Sequence, residues 1–287
     1  MAIIAEYLRL KKKKERPEAD NSAPDGKQRH MNEKSLPPLI LLTNDDGFFS
    51  AGLEALEQEM RNLGEVYITA PDRERSAASL SLTLHSPLRV KKIRDRVFAV
   101  DGTPTDCVYM AVQKLCPRKP DILISGINPG PNLGQQDIAY SGTVAGAIQG
   151  SFLKIPSIAV SLMHGPDKNF DFALAAHLAY KIARSILNNP LPEGITLNIN
   201  IPPSPVKGIR LAKLGEKRYN PEITARIDPR NRTYFWIGTG TPRAIGDGDS
   251  DVKIIKEGYA TVTPLHRDLT HYETLKSESM LSLLETV

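Results

Sequence analysis

Short uninterrupted apolar runs alternate along this chain with longer segments in which apolar residues recur every three or four positions. Apolar runs of this length predict strands buried on both faces, as in a parallel sheet. Such strands are predicted at residues 39–43, 66–70, 121–125, 158–160 and 197–201. Helices between them are predicted at residues 50–62, 104–115, 144–152 and 172–187. The alternation predicts an α/β fold with a doubly wound, mostly parallel sheet, because strand–helix–strand units close with a right-handed crossover.

The pattern changes after residue 201, where we expect the last strand of the main sheet to end. Residues 203–250 are rich in Pro and Gly without helical periodicity, which predicts extended hairpins outside the sheet. A final strand at 259–264 and a helix at 275–284 follow, whereas 72–101 predicts short strands or a hairpin flap. We therefore divide the chain into a main domain at 39–201 and a C-terminal arm at 202–287.

The positive charge lies mostly before the first predicted strand. The formal net charge is +4, and residues 1–38 hold nine Lys or Arg against six Asp or Glu, which gives this leader +3. Its polar, aperiodic part predicts disorder. We interpret it as a dispensable tail or an over-extended start with Met31 as the initiator, in preference to a basic tether to RNA or an anionic surface. The nearly neutral remainder gives little support to specific nucleic-acid binding.

The overall composition is that of a globular protein. The chain is 24% charged and 40% hydrophobic, and no run approaches the roughly 18 consecutive apolar residues of a membrane span. Cys107 and Cys116 fit neither a zinc pattern nor a redox motif. We interpret both as reduced thiols of a cytoplasmic protein.

Two adjacent carboxylates follow the first predicted strand, in Asn44-Asp45-Asp46-Gly47. Ligands of open α/β sheets bind outside the carboxyl ends of the strands. Two carboxylates about 5 Å apart repel by roughly 3 kcal/mol at an effective dielectric of about 20, and a divalent cation converts that repulsion into attraction. An Asx turn that caps the following helix explains the same residues without a metal. Both interpretations stay open on this motif alone.

Two further loops add oxygen donors at the ends of other predicted strands. Asn128 lies in the Gly-rich stretch 124–130, and Ser76 lies in the charged stretch 72–76. Taken singly, the first is typical of an ordinary loop and the second of a surface serine. Together the three loops offer carboxylate, hydroxyl and amide oxygens without sulfur or imidazole. That donor set suits Mg²⁺ or Mn²⁺ and is poor for zinc.

Ser141-Gly142-Thr143 lies at the start of a predicted helix. Backbone N–H groups at a helix N-terminus bind anions, and the helix dipole contributes about 0.3–1 kcal/mol toward a bound phosphate. A plain Ser or Thr N-cap is the alternative. The chain contains neither the G-x-x-x-x-G-K-S/T loop of P-loop nucleotidases nor the G-x-S-x-G elbow of α/β-hydrolases.

Five motifs occur in one order: LTNDDG at 42–47, APDRERSA at 70–77, GTPTDCV at 102–108, SGIN at 125–128 and YSGTV at 140–144. With them, residues 39–270 resemble the SurE survival-protein family of nucleotidases. The resemblance implies a Rossmann-like catalytic domain at 39–201 and a C-terminal β-hairpin arm exchanged between subunits. It therefore implies a homodimer or homotetramer that assembles through that arm.

The resemblance also implies roles for individual residues. One divalent cation per subunit, Mg²⁺ or Mn²⁺, is expected on Asp45, Asp46, Ser76 and Asn128. Phosphate binding is expected at Ser141, Gly142 and Thr143, with Asn44 nearby. The implied activity is hydrolysis of nucleoside 5′-monophosphates, extending to 3′-nucleotides and short polyphosphate. Asp45 or Asp46 would take the proton from the attacking water.

Two departures from the family pattern bear on substrate reach. The stretch between Gly134 and Ser141 is one residue longer than usual, and Leu80 replaces a polar residue. The acidic stretch 247–251 lacks the glycine and distal glutamate of an EF-hand and is interpreted as a surface loop.

Two other classes of function stay open. They are a metal-dependent nucleotide sensor without turnover, and a nucleic-acid-binding protein whose affinity, carried by the leader, falls steeply with salt.

Overall fold

The apolar runs form the central sheet of the molecule. The computed structural model describes residues 36–238, 240 and 243–279. The strands are β1 (Leu39–Thr43), β2 (Glu65–Pro71), β3 (Val90–Arg94), β4 (Val97–Val100), β5 (Ile122–Pro129), β6 (Ser157–Leu162), β7 (Ile195–Ile201), β8 (Ile209–Leu211), β9 (Glu216–Arg218), β10 (Ile223–Ile227), β11 (Thr233–Ile237), β12 (Arg243–Ile245) and β13 (Ala260–His266). The helices are α1 (Ala51–Met60), α2 (Pro104–Met110), α3 (Gly134–Tyr140), α4 (Gly142–Phe152), α5 (Phe172–Asn188), α6 (Asp251–Ile254) and α7 (Tyr272–Leu275).

Nine of these strands form one sheet in the order β3-β4-β2-β1-β5-β6-β7-β13-β8. The six neighbours from β4 to β7 run in parallel. Strand β3 pairs antiparallel with β4, and β13 pairs antiparallel with β7. A separate hairpin, β10–β11, lies outside the sheet. The predicted α/β class, with a mostly parallel sheet and a C-terminal hairpin, is confirmed.

Helices cover both faces of the sheet, because alternate side chains of each strand point to opposite sides. Ile40 and Leu42 of β1 belong to a buried cluster that includes Leu56 of α1 and the alanines of α5. Leu41 belongs to a second cluster that includes Val108 of α2 and Val144 of α4. Burial of each such Leu or Ile side chain stabilises the fold by about 1.5–3 kcal/mol.

Strand β7 is not the last strand of the sheet, so that prediction is wrong. Strand β13 pairs with β7 from Thr261↔Asn200 to His266↔Ile195, and β8 pairs with β13. The apolar pattern of β7 identifies it as a buried strand, but the pattern carries no information about a partner some sixty residues away. The proposed division of roles between 39–201 and 202–287 stays a prediction.

Other elements also differ from expectation. Residues 72–89 contain no strand, and the hairpin of this region is β3–β4. Helix α3 was not predicted, and β5 continues to Pro129 into the stretch expected to be a loop. The predicted C-terminal helix is described only up to residue 279, and the leader and Met31 lie outside the described residues. No helix in the described part of the chain combines the length and the apolar character needed to span a bilayer.

The acidic stretch 247–251 is only partly a surface loop, which corrects that interpretation. Its last residue, Asp251, is fully buried. The Oδ2 atom of Asp251 accepts a hydrogen bond from Gly134 N–H at 2.8 Å, and its Oδ1 atom accepts from Gly215 N–H at 2.8 Å and Val252 N–H at 2.7 Å. A carboxylate is buried at acceptable cost only when it is hydrogen-bonded in this way. Asp251 therefore ties α3, α6 and the loop before β9 together.

Candidate metal and phosphate site

Three neighbouring parallel strands bring the predicted donor loops to one edge of the sheet. Strand β1 lies between β2 and β5, and the three strands end at Thr43, Pro71 and Pro129. The loops after β1 and β2 are joined by backbone hydrogen bonds. Phe48 N–H donates to Pro71 O at 3.0 Å, and Arg75 N–H donates to Asp45 O at 2.7 Å. This is the edge at which open α/β sheets bind ligands.

Asn44 shapes the loop after β1. Its side chain is buried, and its Nδ2 atom donates to Gly47 O at 3.0 Å and to Ser50 Oγ at 2.7 Å. Its Oδ1 atom accepts from Gly47 N–H at 3.2 Å, while Ser50 Oγ caps α1 by accepting from Leu53 N–H. The Asx-turn interpretation therefore describes Asn44 well. Its predicted contact with phosphate gains no support, because the side chain is already used within the loop.

Asp45 is buried at the N-terminus of α4. Its Oδ1 atom accepts a hydrogen bond from the Thr143 hydroxyl at 2.5 Å. Gly142 permits this approach, because a Cβ at residue 142 would lie 2.8 Å from Asp45 Cβ and 2.9 Å from its Oδ2. Ser141 caps the helix by accepting from Val144 N–H at 3.1 Å. Burial raises the pKa of Asp45, and the hydrogen bonds from Thr143 oppose that shift.

Asp46 has a different environment from its neighbour. Its Oδ2 atom is buried and has no hydrogen-bond partner among the described residues. Burial, followed by the charges of Asp45 and Glu74, raises the pKa of Asp46 from 3.8 to about 7. An unpartnered buried carboxylate oxygen is costly. A bound cation would satisfy that oxygen and offset the repulsion between the two carboxylates.

Asn128 reaches the same edge through an irregularity in β5. The pairing with β6 shifts register between Ser125 and Asn128, and such a bulge re-aims the side chains that follow it. Gly126 is required at the bulge, since its φ is +137° and a Cβ would lie 2.3 Å from Val160 O. Asn128 Nδ2 donates to Gly130 O at 2.7 Å, so its Oδ1 remains as a donor oxygen for a ligand.

Ser76, the fourth predicted metal ligand, is exposed in the loop after β2. Its hydroxyl donates to Glu74 Oε1 at 2.6 Å. Among the described residues, no three His, Cys, Asp or Glu side chains are grouped closely enough to hold a metal ion. Neutral oxygens would have to complete a metal site at this edge, and Ser76 and Asn128 are the predicted ones beside the two aspartates. The donor set fits a hard cation such as Mg²⁺ or Mn²⁺.

A cavity of about 450 Å³ lies away from these loops, near the end of α1 and the start of β2. Its charged side chains are paired with one another: Arg61 and Arg94 contact Glu57, and Arg96 contacts Glu65. None of the predicted site residues lines it. The candidate site is the open strand edge at Asp45 and Asp46, and this cavity is separate from it.

Comparison with known proteins decides the family. Residues 40–221 match the family described as "Survival protein SurE". The chain belongs to the SurE family. The relative named 5′-nucleotidase SurE from Pelobacter propionicus is 46% identical over 240 residues, which cover 83% of this chain and 96% of the relative. The 5′-nucleotidase SurE of Syntrophotalea carbinolica is 42% identical over 245 residues, 85% of this chain and 98% of the relative.

A solved structure of the SurE family supports the same fold. The crystal structure of the SurE protein from Aquifex aeolicus matches with a TM-score of 0.73 and 40% identity, and it covers 85% of this chain and 100% of that one. The resemblance predicted from the five motifs is thus confirmed. The stretch that matches the SurE family contains every predicted site residue from Asn44 to Thr143.

The sequence interpretation did not consider one residue next to the candidate site. Glu74 lies close enough to raise the pKa of both Asp45 and Asp46 by its charge. The available signal was its position two residues before Ser76 in a charged loop. An acidic side chain in such a loop is ordinarily a solvated surface residue, and only the folded loop reveals its contact with Ser76.

Proposed function

We propose that this protein is a metal-dependent 5′-nucleotidase, a hydrolase that releases phosphate from nucleoside 5′-monophosphates. The observation that carries the proposal is the pair Asp45–Asp46 at the end of β1, with the buried Asp46 Oδ2 unpartnered and Asp45 seated at the start of α4. Relatives that are 46% and 42% identical to this chain bear the name 5′-nucleotidase SurE.

One Mg²⁺ or Mn²⁺ per subunit would be held by Asp45, Asp46, Ser76 and Asn128. When bound, the cation supplies Lewis-acid polarisation of the phosphoryl group and a lowered pKa of water. The support for this set is chemical: two carboxylates, a hydroxyl and an amide oxygen come from three neighbouring strands and their loops, and one carboxylate oxygen lacks a partner among the described residues. Removal of the cation would leave the two carboxylates repelling each other.

The chain's own residues bind the phosphate and move the proton. The first turn of α4, from Ser141 to Thr143, presents the positive end of an 11-residue helix to the phosphate. The Thr143 hydroxyl holds Asp45 in place through its 2.5 Å hydrogen bond. Asp45 or Asp46 takes the proton from the attacking water.

The substrate range extends, in this proposal, to 3′-nucleotides and short polyphosphate, because the site binds the phosphate group in particular. The nucleoside would lie over the segment next to the end of α3. There Ser79 Oγ donates to Ala139 O at 2.8 Å, which places Leu80 beside Tyr140. Both side chains are exposed, at 42% and 57%. Apolar and aromatic surface of this kind favours contact with a base.

We propose further that the protein is a cytoplasmic homodimer or homotetramer that assembles through its C-terminal arm. In hairpin β10–β11, Ile223 pairs with Ile237, Ala225 with Phe235 and Ile227 with Thr233, so one face is apolar except for Thr233. These side chains are exposed in the single chain. A contiguous apolar surface of this kind marks an interaction site. The cytoplasmic location rests on the two cysteines, which are unpaired.

Phosphate release from a panel of phosphoesters tests the proposed activity. The panel holds nucleoside 5′-monophosphates, 3′-monophosphates and tripolyphosphate, each with saturating Mn²⁺ or Mg²⁺. We expect release from the 5′-monophosphates, with slower release from the others. Tight nucleotide binding without phosphate release would instead establish the sensor and refute the enzyme.

A further inference from the structure

The contact between Ser76 and Glu74 sets the direction of the Ser76 hydroxyl. The hydroxyl donates its hydrogen to Glu74 Oε1, and the two oxygens lie 2.6 Å apart. A hydroxyl has one hydrogen and two lone pairs. With the hydrogen directed to Glu74, the lone pairs of Ser76 Oγ are left for another partner. A hydroxyl that serves as a metal ligand needs this arrangement.

The negative charge of Glu74 is not taken up by the arginines on either side of it. Arg73 pairs with Asp72 at 3.3 Å. Arg75 donates through Nη2 to Asp101 O at 2.9 Å and lies 3.7 Å from Asp72. Within the described part of the chain, none of the ion pairs includes Glu74. Its carboxylate is therefore available to the loop around Ser76.

This loop is also held against the aspartates. Arg75 N–H donates to Asp45 O at 2.7 Å, so the backbone between Glu74 and Ser76 is fixed to the loop after β1. The Glu74 charge reaches both Asp45 and Asp46. Yet no three acidic, histidine or cysteine side chains of the described residues are grouped tightly enough to ligate one ion. Glu74 is near the site without belonging to its ligand set.

We propose that Glu74 is a positioning residue of the metal site, which accepts the Ser76 hydroxyl hydrogen and so directs a lone pair of Ser76 Oγ toward the cation. It also adds a third negative charge near the cation. The inference rests on the proposed function, because Ser76 is one of the proposed ligands. Partners that orient a metal ligand typically change metal affinity by about 10–100-fold when removed.

Calorimetric titration of metal-free protein with Mn²⁺, in the absence of nucleotide, tests this role. We expect Glu74→Ala to bind Mn²⁺ about 10–100-fold more weakly than the wild type. Glu74→Gln retains an acceptor for the hydroxyl but lacks the charge, so its affinity should lie between the two. Glu273→Ala serves as the matched control, since Glu273 is exposed in α7, which follows the end of β13 at the opposite edge of the sheet.

A double-mutant comparison separates orientation from simple charge. In a Ser76→Ala background, Glu74→Ala should cost much less affinity than it does in the wild type, because the hydroxyl that it orients is absent. An equal cost in both backgrounds, or wild-type affinity for Glu74→Ala alone, would overturn the inference. Absence of Mn²⁺ binding by the wild type would instead count against the proposed function. Thermal unfolding in EDTA confirms that each variant is folded.

Discussion

Asp45 and Asp46 are adjacent in the chain but have different surroundings. Asp45 is held by the Thr143 hydroxyl at the start of α4, whereas Asp46 retains a buried oxygen without a partner. Both pKa values are raised, chiefly by burial. Protons therefore bind these carboxylates more readily than solvated ones, and they compete with a cation for the same oxygens.

The shifted pKa of Asp46 predicts how the metal-free protein responds to pH. Because its pKa in the fold is about 7 against an ordinary 3.8, the folded state binds more protons than the unfolded state between these values. Its stabilising contribution is thus complete below pH 3.8 and is lost as the pH rises through 7. Asp46→Asn should remove this dependence, a difference on the order of 1–2 kcal/mol after solvent screening.

Urea unfolding in EDTA from pH 4 to pH 8 measures the pH dependence of the free energy of unfolding. The free energy of unfolding of the wild type should fall relative to that of Asp46→Asn over the range. Asp95→Asn, a change on a side chain that is 80% exposed, should run parallel to the wild type. Parallel curves for Asp46→Asn as well would contradict the assigned environment.

Gly142 lies against Asp45 and leaves no room for a side chain. A Cβ at this position would lie 2.8 Å from the Cβ of Asp45 and 2.9 Å from its Oδ2. Gly142→Ala should destabilise the protein by about 1–3 kcal/mol, as overpacking does, and weaken Mn²⁺ binding by displacing Asp45. Gly248→Ala is the control, since nothing lies within 4 Å of its added Cβ. If Gly142→Ala had the same free energy of unfolding in urea as the wild type, the close contact between residue 142 and Asp45 would be contradicted.

The positions of candidate site residues could be predicted from the sequence only where a motif and a strand end coincide. Asp45 and Asp46 follow β1, and Asn128 lies near the end of β5, so their shared location at one edge follows from parallel topology. The roles of Asn44 and Glu74 depend on hydrogen-bond partners, which the order of residues does not specify. Asn44 turned out to shape the loop, and Glu74 to contact Ser76.

At the scale of elements, the parallel strands and long helices were predictable because their signals are local. Helix α3 was not, because its seven residues carry little apolar periodicity. Its Asp137 contacts Lys217 Nζ at 2.5 Å and the Tyr219 hydroxyl at 2.7 Å. The stretch interpreted as one residue longer than the family pattern thus forms a helix held by distant residues. The position of β13 in the sheet could not be predicted either, because its partner β7 is distant in the sequence.

Asp251 joins three parts of the fold through its buried carboxylate. Its carboxylate accepts from Gly134, Gly215 and Val252 N–H groups. Asp251→Asn should lower the free energy of unfolding by about 2–4 kcal/mol, because an amide NH₂ would face backbone donors in a buried site. The exposed Asp249→Asn in the same loop should cost under about 0.5 kcal/mol. Equal urea midpoints for the two variants would show that Asp251 is dispensable.

In the whole molecule, the exposed face of hairpin β10–β11 is the surface through which we propose that subunits assemble. Phe235 on that face is 64% exposed, and Thr224 lies on the opposite face of the hairpin. Phe235→Asp should therefore convert the oligomer into a monomer, whereas Thr224→Asp should leave it assembled. Light scattering coupled to size-exclusion chromatography measures the mass directly. A wild-type monomer, or an assembled Phe235→Asp, would contradict the proposed interface.

We propose that two carboxylates at the end of β1 hold a cation for phosphate-ester hydrolysis. The most direct test of this proposal is phosphate release from nucleoside 5′-monophosphates by the wild type, Asp45→Asn and Asp46→Asn, each with Mg²⁺, Mn²⁺ or EDTA. We expect release by the wild type only with a cation, and a loss of about 10²–10⁴-fold in either variant. Full release by the wild type in EDTA, or full cation-dependent release by Asp45→Asn, would contradict it.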